Sequence, residues 1–159
     1  RGACSSRGAR SRRARGLLSV ATSAASAAAG SALVEACLPL APCPVGEARV
    51  TPGFRLPAKY VVHTVGPVYR DGLSGEPQLL ASAYRAALEA AAAVGARSIA
   101  FPGISTGIYG YPVESATKIA IATIREYLAA NSGSFDSVQL IWLTHEQAAA
   151  ADALLEQQL

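Results

Sequence analysis

The chain has 159 residues, enough for one domain with its own hydrophobic core. It is 51% hydrophobic and 16% charged, and polar residues interrupt every apolar stretch before it reaches about 18 residues, which argues against a membrane-spanning helix. Its three cysteines fit neither a disulfide framework nor a metal-ligand spacing, and six arginines in residues 1–15 account for the net charge of +3, since the remainder balances at 8 − 11 = −3.

Residues 1–30 differ in composition from everything that follows. Twenty-five of these thirty residues are Arg, Ala, Ser or Gly, the first acid is Glu35, and the chain contains no Met. Three interpretations stay open: a transit-peptide-like leader, a disordered tail, or GC-rich DNA translated in a wrong frame or across a wrong exon boundary. The composition predicts a poorly ordered, low-complexity segment over residues 1–27 and a folded domain over residues 28–159.

From Ser31 onward, helical and strand patterns alternate. Apolar residues at helical spacing predict helices at Ala32–Leu38, Pro77–Val94, Pro112–Tyr127 and His145–Leu159. Short apolar runs predict strands at Glu47–Thr51, Lys59–Val65, Ser98–Phe101 and Ser137–Thr144. Gly95 is expected just after the second helix, and Pro112 in the first turn of the third. Such alternation predicts an α/β fold with a largely parallel sheet covered on both faces.

The segment FPGISTGIYGYP, residues 101–112, joins a predicted strand to a predicted helix. Ligands of open α/β sheets bind at the carboxyl ends of strands, and glycines let a backbone approach a ligand closely. Main-chain N–H groups and a helix N-terminus together form an anion site without a charged side chain. The segment has no Lys and no acid to hold magnesium, so it is suited to bind a diphosphate without breaking it. Spacing alone also leaves open a simple strand-to-helix turn.

Two longer segments carry a resemblance to a known family. CPVGEARVTPGFRLPAKYVVHTVGPVY, residues 43–69, and IAFPGISTGIYGYPVESA, residues 99–116, closely resemble the macrodomain family, and the likeness extends over roughly residues 28–159. The resemblance implies a three-layer α/β/α fold with a mixed sheet, ADP-ribose binding, and a capacity to hydrolyse O-acetyl-ADP-ribose or ADP-ribosyl-protein esters. It assigns the diphosphate and the distal ribose to six residues: Gly103, Ser105, Thr106, Gly107, Ile108 and Tyr109.

The chain departs from the family in its N-terminal part, which is missing or altered. Family members carry a catalytic Asn and an acid there, whereas the first acid of this chain is Glu35 and its single Asn is Asn131. No residue therefore receives a catalytic role. The N-terminal strands are expected to be absent or replaced, and Leu17–Thr22 is the candidate replacement for a central strand. We expect the chain to retain ADP-ribose binding while its rate of hydrolysis is strongly reduced. The alternatives are a non-catalytic reader module and an inactive fragment.

The remaining candidate residues have plainer interpretations. His63 lies within a buried strand and is predicted to be a core histidine, while His145 begins a helix. Cys37 and Cys43 have neither a nearby His nor a Cys-X-X-Cys setting that would activate a thiol. No cofactor and no metal are expected. The expected partners are ADP-ribose or its derivatives and ADP-ribosylated proteins, without membrane or nucleic acid, for a monomer in the cytoplasm, an organellar leader being the alternative.

Overall fold

The computed structural model describes residues 17–20 and 28–157. Its centre is a five-stranded sheet, whose strands are Leu17–Val20 (β1), Ala48–Pro52 (β2), Tyr60–Thr64 (β3), Ser98–Pro102 (β4) and Ser137–Ile141 (β5). They lie in the order β2-β3-β1-β4-β5. Only the β2–β3 pair is antiparallel among the described pairs, so the prediction of a mixed, largely parallel sheet is confirmed.

Strand β1 occupies the middle of this sheet. Ser19 pairs with Val61 of β3 on one side, and Leu18 pairs with Ile99 of β4 on the other. The prediction that the segment beginning at Leu17 supplies a central strand is therefore confirmed for its first four residues. β1 lies ahead of the predicted boundary at residue 28, which stays a prediction, and residues 1–16 and 21–27 lie outside the described residues.

Within the described part of the chain, helices connect or follow the strands at positions close to the predicted ones. They are Ser31–Cys37 (α1), which continues into a 3-10 turn, Glu76–Ala93 (α2), Val113–Ala130 (α3) and His145–Gln157 (α4). Gly95 follows α2 with a left-handed φ of 69°, as expected of a glycine beyond a helix end. Along the described residues, no helix is both long and apolar enough to cross a membrane.

Two boundary predictions are wrong for physical reasons. The last strand ends at Ile141 rather than Thr144, because its partner β4 ends at Pro102, opposite Ile141, and leaves no backbone to pair with. Pro112 precedes α3 instead of lying in its first turn, since its ψ of 125° is extended.

Apolar side chains cover both faces of the sheet. The larger core cluster joins the sheet to α2 and α3, and its members include Val62, Leu80, Tyr84, Leu88, Ile99 and Phe101. A smaller cluster under α1 contains Ala29, Leu33 and Val61. Because Val61 and Val62 are neighbours on β3 and serve opposite clusters, the sheet lies between two helical layers. The predicted three-layer α/β/α arrangement is thus confirmed.

The turn before α2, residues 70–75, here called the Glu76 turn, is built around one carboxylate. Glu76 is 3% exposed, and its carboxylate accepts four backbone N–H bonds at 2.7–3.4 Å, from Arg70, Asp71, Gly72 and Ser74. Its own N–H, together with those of the turn, lowers the pKa of Glu76 to about 2, against the opposing effect of desolvation. The turn is therefore organised by an anion that belongs to the protein itself.

Candidate functional site

The loop of residues 103–111, here called the glycine loop, leaves the sheet at the carboxyl end of β4 and leads into α3. Segments that follow two other strands lie against it. A Cβ at Gly66, beyond β3, would come within 2.2 Å of Ser105 Oγ, and a Cβ at Gly103 would come within 2.5 Å of the Trp142 ring, beyond β5. The loop thus lies where α/β sheets bind ligands.

A buried tyrosine holds the start of the glycine loop. Tyr84, on α2, has no exposed surface, and its Oη accepts the Ile104 N–H at 3.2 Å and donates to the Pro102 carbonyl at 3.4 Å. Burial raises the pKa of Tyr84 far above its usual value, so the hydroxyl keeps its proton. The residues on either side of Gly103 are therefore tied to the helix beneath them.

Backbone hydrogen bonds hold the end of the loop. The Tyr111 N–H donates to the Ser105 carbonyl at 3.0 Å, which closes the loop across its base. From outside, the Tyr69 N–H donates to the Tyr109 carbonyl at 2.9 Å. Tyr69 directly precedes the Glu76 turn, so the carboxylate of Glu76 supports this contact through the backbone. The glycine loop is consequently fixed at both ends.

Between these anchors, several backbone amides are unused. The N–H groups of Gly107, Ile108 and Tyr109, here called the apex amides, donate to no atom of the residues that the structure describes. The Ile108 side chain is 100% exposed, so this part of the loop faces solvent. The N-terminus of α3 follows closely and adds a positive dipole end. Exposed donors beside a helix start are suited to bind an anion.

Gly107 differs from the other glycines within residues 28–157. Each of the others either has a left-handed φ or would place a Cβ against a neighbouring atom. Gly107 has no left-handed φ, and a Cβ there would meet nothing within 4 Å. Folding of the described chain therefore does not require a glycine at this position. A ligand that approaches the backbone closely would require one.

Ser105 and Trp142 add two unusual features beside Gly103. The φ of Ser105 is 65°, in the left-handed region that residues other than glycine rarely adopt. Ser105 Oγ and Trp142 Nε1 are both buried, and neither has a hydrogen-bond partner among the described residues. Backbone strain and unpaired buried polar atoms are concentrated at functional sites.

The six predicted ligand-binding residues all lie on the glycine loop. Among them, Thr106 Oγ1 donates to the Gly103 carbonyl at 2.8 Å. It stabilises the loop from inside, because a short hydroxyl side chain in a turn reaches a carbonyl three residues back. Contact of all six residues with a ligand stays a prediction.

The expectation that Cys37 has no nearby His is wrong. Its Sγ lies 3.7 Å from His63 Nε2 and 3.8 Å from His63 Nδ1, because α1 crosses the face of β3. Thr51 Oγ1 lies 2.8 Å from the same Nε2, and burial lowers the pKa of His63. The half-buried imidazole is therefore neutral at pH 7 and bridges α1 to β2.

The remaining polar side chains offer few catalytic groups near the loop. Glu114, in the first turn of α3, pairs with Lys118 at 2.6 Å. Asn131 follows the last residue of α3, about 27 Å along the helix from the glycine loop, and bonds the Tyr127 carbonyl. Among the described residues, no three His, Cys, Asp or Glu side chains are grouped so that they could hold a metal ion. Within residues 17–20 and 28–157, this geometry assigns no catalytic residue.

The family model described as Macro domain matches residues 19–120, well over half of the chain, including the last two residues of β1 and the whole glycine loop. The chain belongs to the macro domain family. A macro domain-containing protein of Chlorobaculum tepidum is 58% identical over 106 residues, which cover 67% of this chain and 62% of that relative. This chain therefore spans less than two thirds of that relative's length, and the activity of a whole macro domain protein does not transfer with the family.

Two further comparisons concern the ligand and the fold of macro domains. A Citrobacter rodentium protein named O-acetyl-ADP-ribose deacetylase is 44% identical over 135 residues, covering 82% of this chain and 76% of that protein. A variant macrodomain of Oceanobacillus iheyensis, solved with ADPR, superposes with a TM-score of 0.81 at 30% identity, covering 91% of this chain and 87% of the other. The described residues thus have the macro domain fold.

Proposed function

We propose that this macro domain binds ADP-ribose, with the diphosphate on the apex amides of the glycine loop. The observation that carries the proposal is the set of three unused N–H groups at Gly107, Ile108 and Tyr109, centred on a glycine that folding does not require. The Oceanobacillus structure with ADPR supports the choice of ligand, since it shares this fold.

The physical chemistry of the loop favours retention of a diphosphate over its cleavage. Hydrogen bonds to a charged acceptor contribute about 1.5–3 kcal/mol each, so three apex amides supply a useful part of the binding free energy. The loop has no Lys to stabilise the charge of a phosphoryl group during its transfer and no acid to hold magnesium. Its donors are fixed before the ligand arrives, which reduces the entropic cost of binding.

Hydrolysis of O-acetyl-ADP-ribose is the second candidate, supported by the name of the Citrobacter relative. Turnover needs a positioned group to activate water, and loss of such a group typically costs about a hundred- to ten-thousand-fold in rate. The chain has no acid before Glu35, and its single Asn lies at the far end of α3. We therefore propose that the chain binds ADP-ribose but hydrolyses O-acetyl-ADP-ribose only slowly. We also propose that its natural target is ADP-ribose attached to proteins. The monomeric state and the cytoplasmic location stay predictions.

Isothermal titration calorimetry with ADP-ribose tests the proposed function. The unmodified chain should bind, and Gly107→Glu should lower its affinity at least about a hundredfold, because the new carboxylate occupies the apex amides and repels the phosphates. Ser132→Glu adds the same charge to an exposed residue beyond α3 and should change affinity little. Equal binding by Gly107→Glu and Ser132→Glu would refute the assignment.

Turnover is measured on the same preparations. A product-release assay with saturating O-acetyl-ADP-ribose, on protein shown by circular dichroism to be folded, should give a rate far below that of an intact macrodomain. A rate equal to the intact protein's would show that residues of this chain supply the missing catalytic groups.

A further inference from the structure

The buried hydroxyl of Tyr84 lies where the glycine loop leaves the end of β4. It accepts from the Ile104 N–H at 3.2 Å and donates to the Pro102 carbonyl at 3.4 Å, so both its donor and its acceptor capacity serve residues on either side of Gly103. The Trp142 ring and Thr106 Oγ1 lie where a Gly103 Cβ would be. The Tyr84 hydroxyl and these close contacts together form a clamp on the backbone at Gly103.

This clamp lies next to the strained residue of the loop. Ser105, at a φ of 65°, follows Ile104 directly, and such a conformation persists only where surrounding contacts determine it. Two contacts that hold the backbone on either side of this conformation are the Tyr84 hydroxyl on the Ile104 N–H and the Tyr111 N–H on the Ser105 carbonyl. The direction of the backbone through Ser105 in turn sets where the apex amides point.

We propose that Tyr84 is a positioning residue for ligand binding: its hydroxyl fixes the backbone at Gly103 and Ile104 so that the apex amides converge on one anion. Tyr84 has no exposed surface and therefore cannot touch a ligand itself. Its phenyl ring packs against Phe101 with ring centroids 5.2 Å apart, so the ring serves the core while the hydroxyl serves the loop. The two roles are separable, because Phe keeps the ring and removes only the oxygen. This inference rests on the proposed function.

The test compares Tyr84→Phe with Tyr127→Phe. Tyr127 also pairs with a phenylalanine, since its ring centroid lies 6.3 Å from that of Phe135. It lies on α3, at the end of the helix that is far from the loop. At a temperature where circular dichroism shows all three proteins folded, Tyr84→Phe should weaken ADP-ribose binding about tenfold, which corresponds to about 1.4 kcal/mol. Tyr127→Phe should bind as the unmodified chain does. Equal affinity in a folded Tyr84→Phe protein would overturn the proposal.

A second ligand separates positioning from general destabilisation. Adenosine lacks the diphosphate, so its binding, measured by ligand-detected NMR, should be the same in Tyr84→Phe and the unmodified chain. Loss of adenosine binding in parallel with ADP-ribose binding would show a general structural defect and overturn the positioning role.

Hydrogen exchange of the Ile104 amide provides a test that needs no ligand, with the amides of α3 as the control for the stability of the variant. In the unmodified chain this amide should exchange much more slowly than those of Gly107 and Ile108, and in Tyr84→Phe it should accelerate while the amides of α3 do not. An Ile104 amide that exchanges as fast as the apex amides in the unmodified chain would refute the clamp. If the unmodified chain bound no ADP-ribose, the proposed function would fail, and the exchange rates alone would decide whether Tyr84 holds the loop.

Discussion

The Glu76 turn and the glycine loop both contain a cluster of backbone N–H groups, but they differ in whether the protein itself supplies an acceptor. In each of them, several backbone N–H groups lie close together within one short turn. In the Glu76 turn, a buried carboxylate of the chain accepts those donors. In the glycine loop, the apex amides have no acceptor among the described residues, and Glu114, in the first turn of the helix that follows, is paired with Lys118. A cradle that holds its own anion is a structural element, whereas one without an anion is suited to receive it from outside.

Removal of the internal anion should have the largest effect on stability. Glu76→Ala leaves four backbone donors of the Glu76 turn without their charged acceptor, and hydrogen bonds to a charged acceptor are stronger than those between neutral groups. The melting temperature should fall further than in any other variant described here. Glu89→Ala, an exposed position on the same helix, is the matched control. If the Glu76→Ala and Glu89→Ala proteins had the same melting temperature, the carboxylate of Glu76 would not organise the turn.

The same carboxylate should make stability depend on pH in the acid range. The pKa of Glu76 is about 2 in the folded chain against an ordinary 4.5, so its contribution is complete above pH 4.5 and is lost as the pH falls towards 2. The difference in melting temperature between the unmodified chain and Glu76→Ala should therefore shrink over that interval. Asp136 and Glu114, whose pKa values Arg97 and Lys118 lower, are present in both proteins and cancel. A difference that stays constant down to pH 2 would contradict the depressed pKa.

Gly66→Ala tests the contact between the glycine loop and the segment after β3. The added Cβ would lie 2.2 Å from Ser105 Oγ and 2.5 Å from Ile104 Cγ2, so one side must move. Overpacking of this kind costs about 1–3 kcal/mol of unfolding free energy, measurable by urea denaturation. Because the displaced residues belong to the loop, ADP-ribose affinity should fall as well. Unchanged stability would mean that the two segments move apart without cost.

Gly107→Ala should have the smallest effect on stability. It separates a glycine that ligand binding requires from glycines, such as Gly66, that the fold requires. Its Cβ meets nothing within 4 Å, so unfolding free energy should stay constant or rise by about 0.4–1 kcal/mol from the lower entropy of the unfolded chain. ADP-ribose affinity should nevertheless fall a few-fold in calorimetry, since the methyl group projects from the middle of the apex amides. Intact affinity would place the ligand elsewhere.

The sequence predicted those parts of the fold that depend on local periodicity. The helix α2 and the strand β3 were placed within a residue or two, because apolar spacing determines which face of each is buried. Strand β1 could be named only as a candidate, since nothing in Leu17–Val20 specifies its two partners. The end of β5 was misplaced because it depends on where β4 stops.

The candidate site was predictable as a loop but not as a set of contacts. Spacing and resemblance located residues 103–109, while Tyr84 belonged to an apolar helical stripe and gave no sign that its hydroxyl reaches the loop. Glu76 was missed, although an acid between Gly75 and Pro77 at a helix start is a recognisable signal. The Cys37–His63 contact joins residues 26 positions apart and follows only from the crossing of α1 over the sheet.

The central position of β1 has a consequence for how the chain acquires its structure. Its partners are β3 and β4, so the first described strand emerges from the ribosome long before either neighbour exists, and the sheet joins into one piece only after β4 is made. Parallel pairing over such separations slows folding, and both edges of β1 stay open to other chains meanwhile. Without Leu17–Val20 the remaining strands would form two separate ribbons, β2–β3 and β4–β5, each with an open edge. The five strands thus form one sheet only when these four residues are in place between β3 and β4.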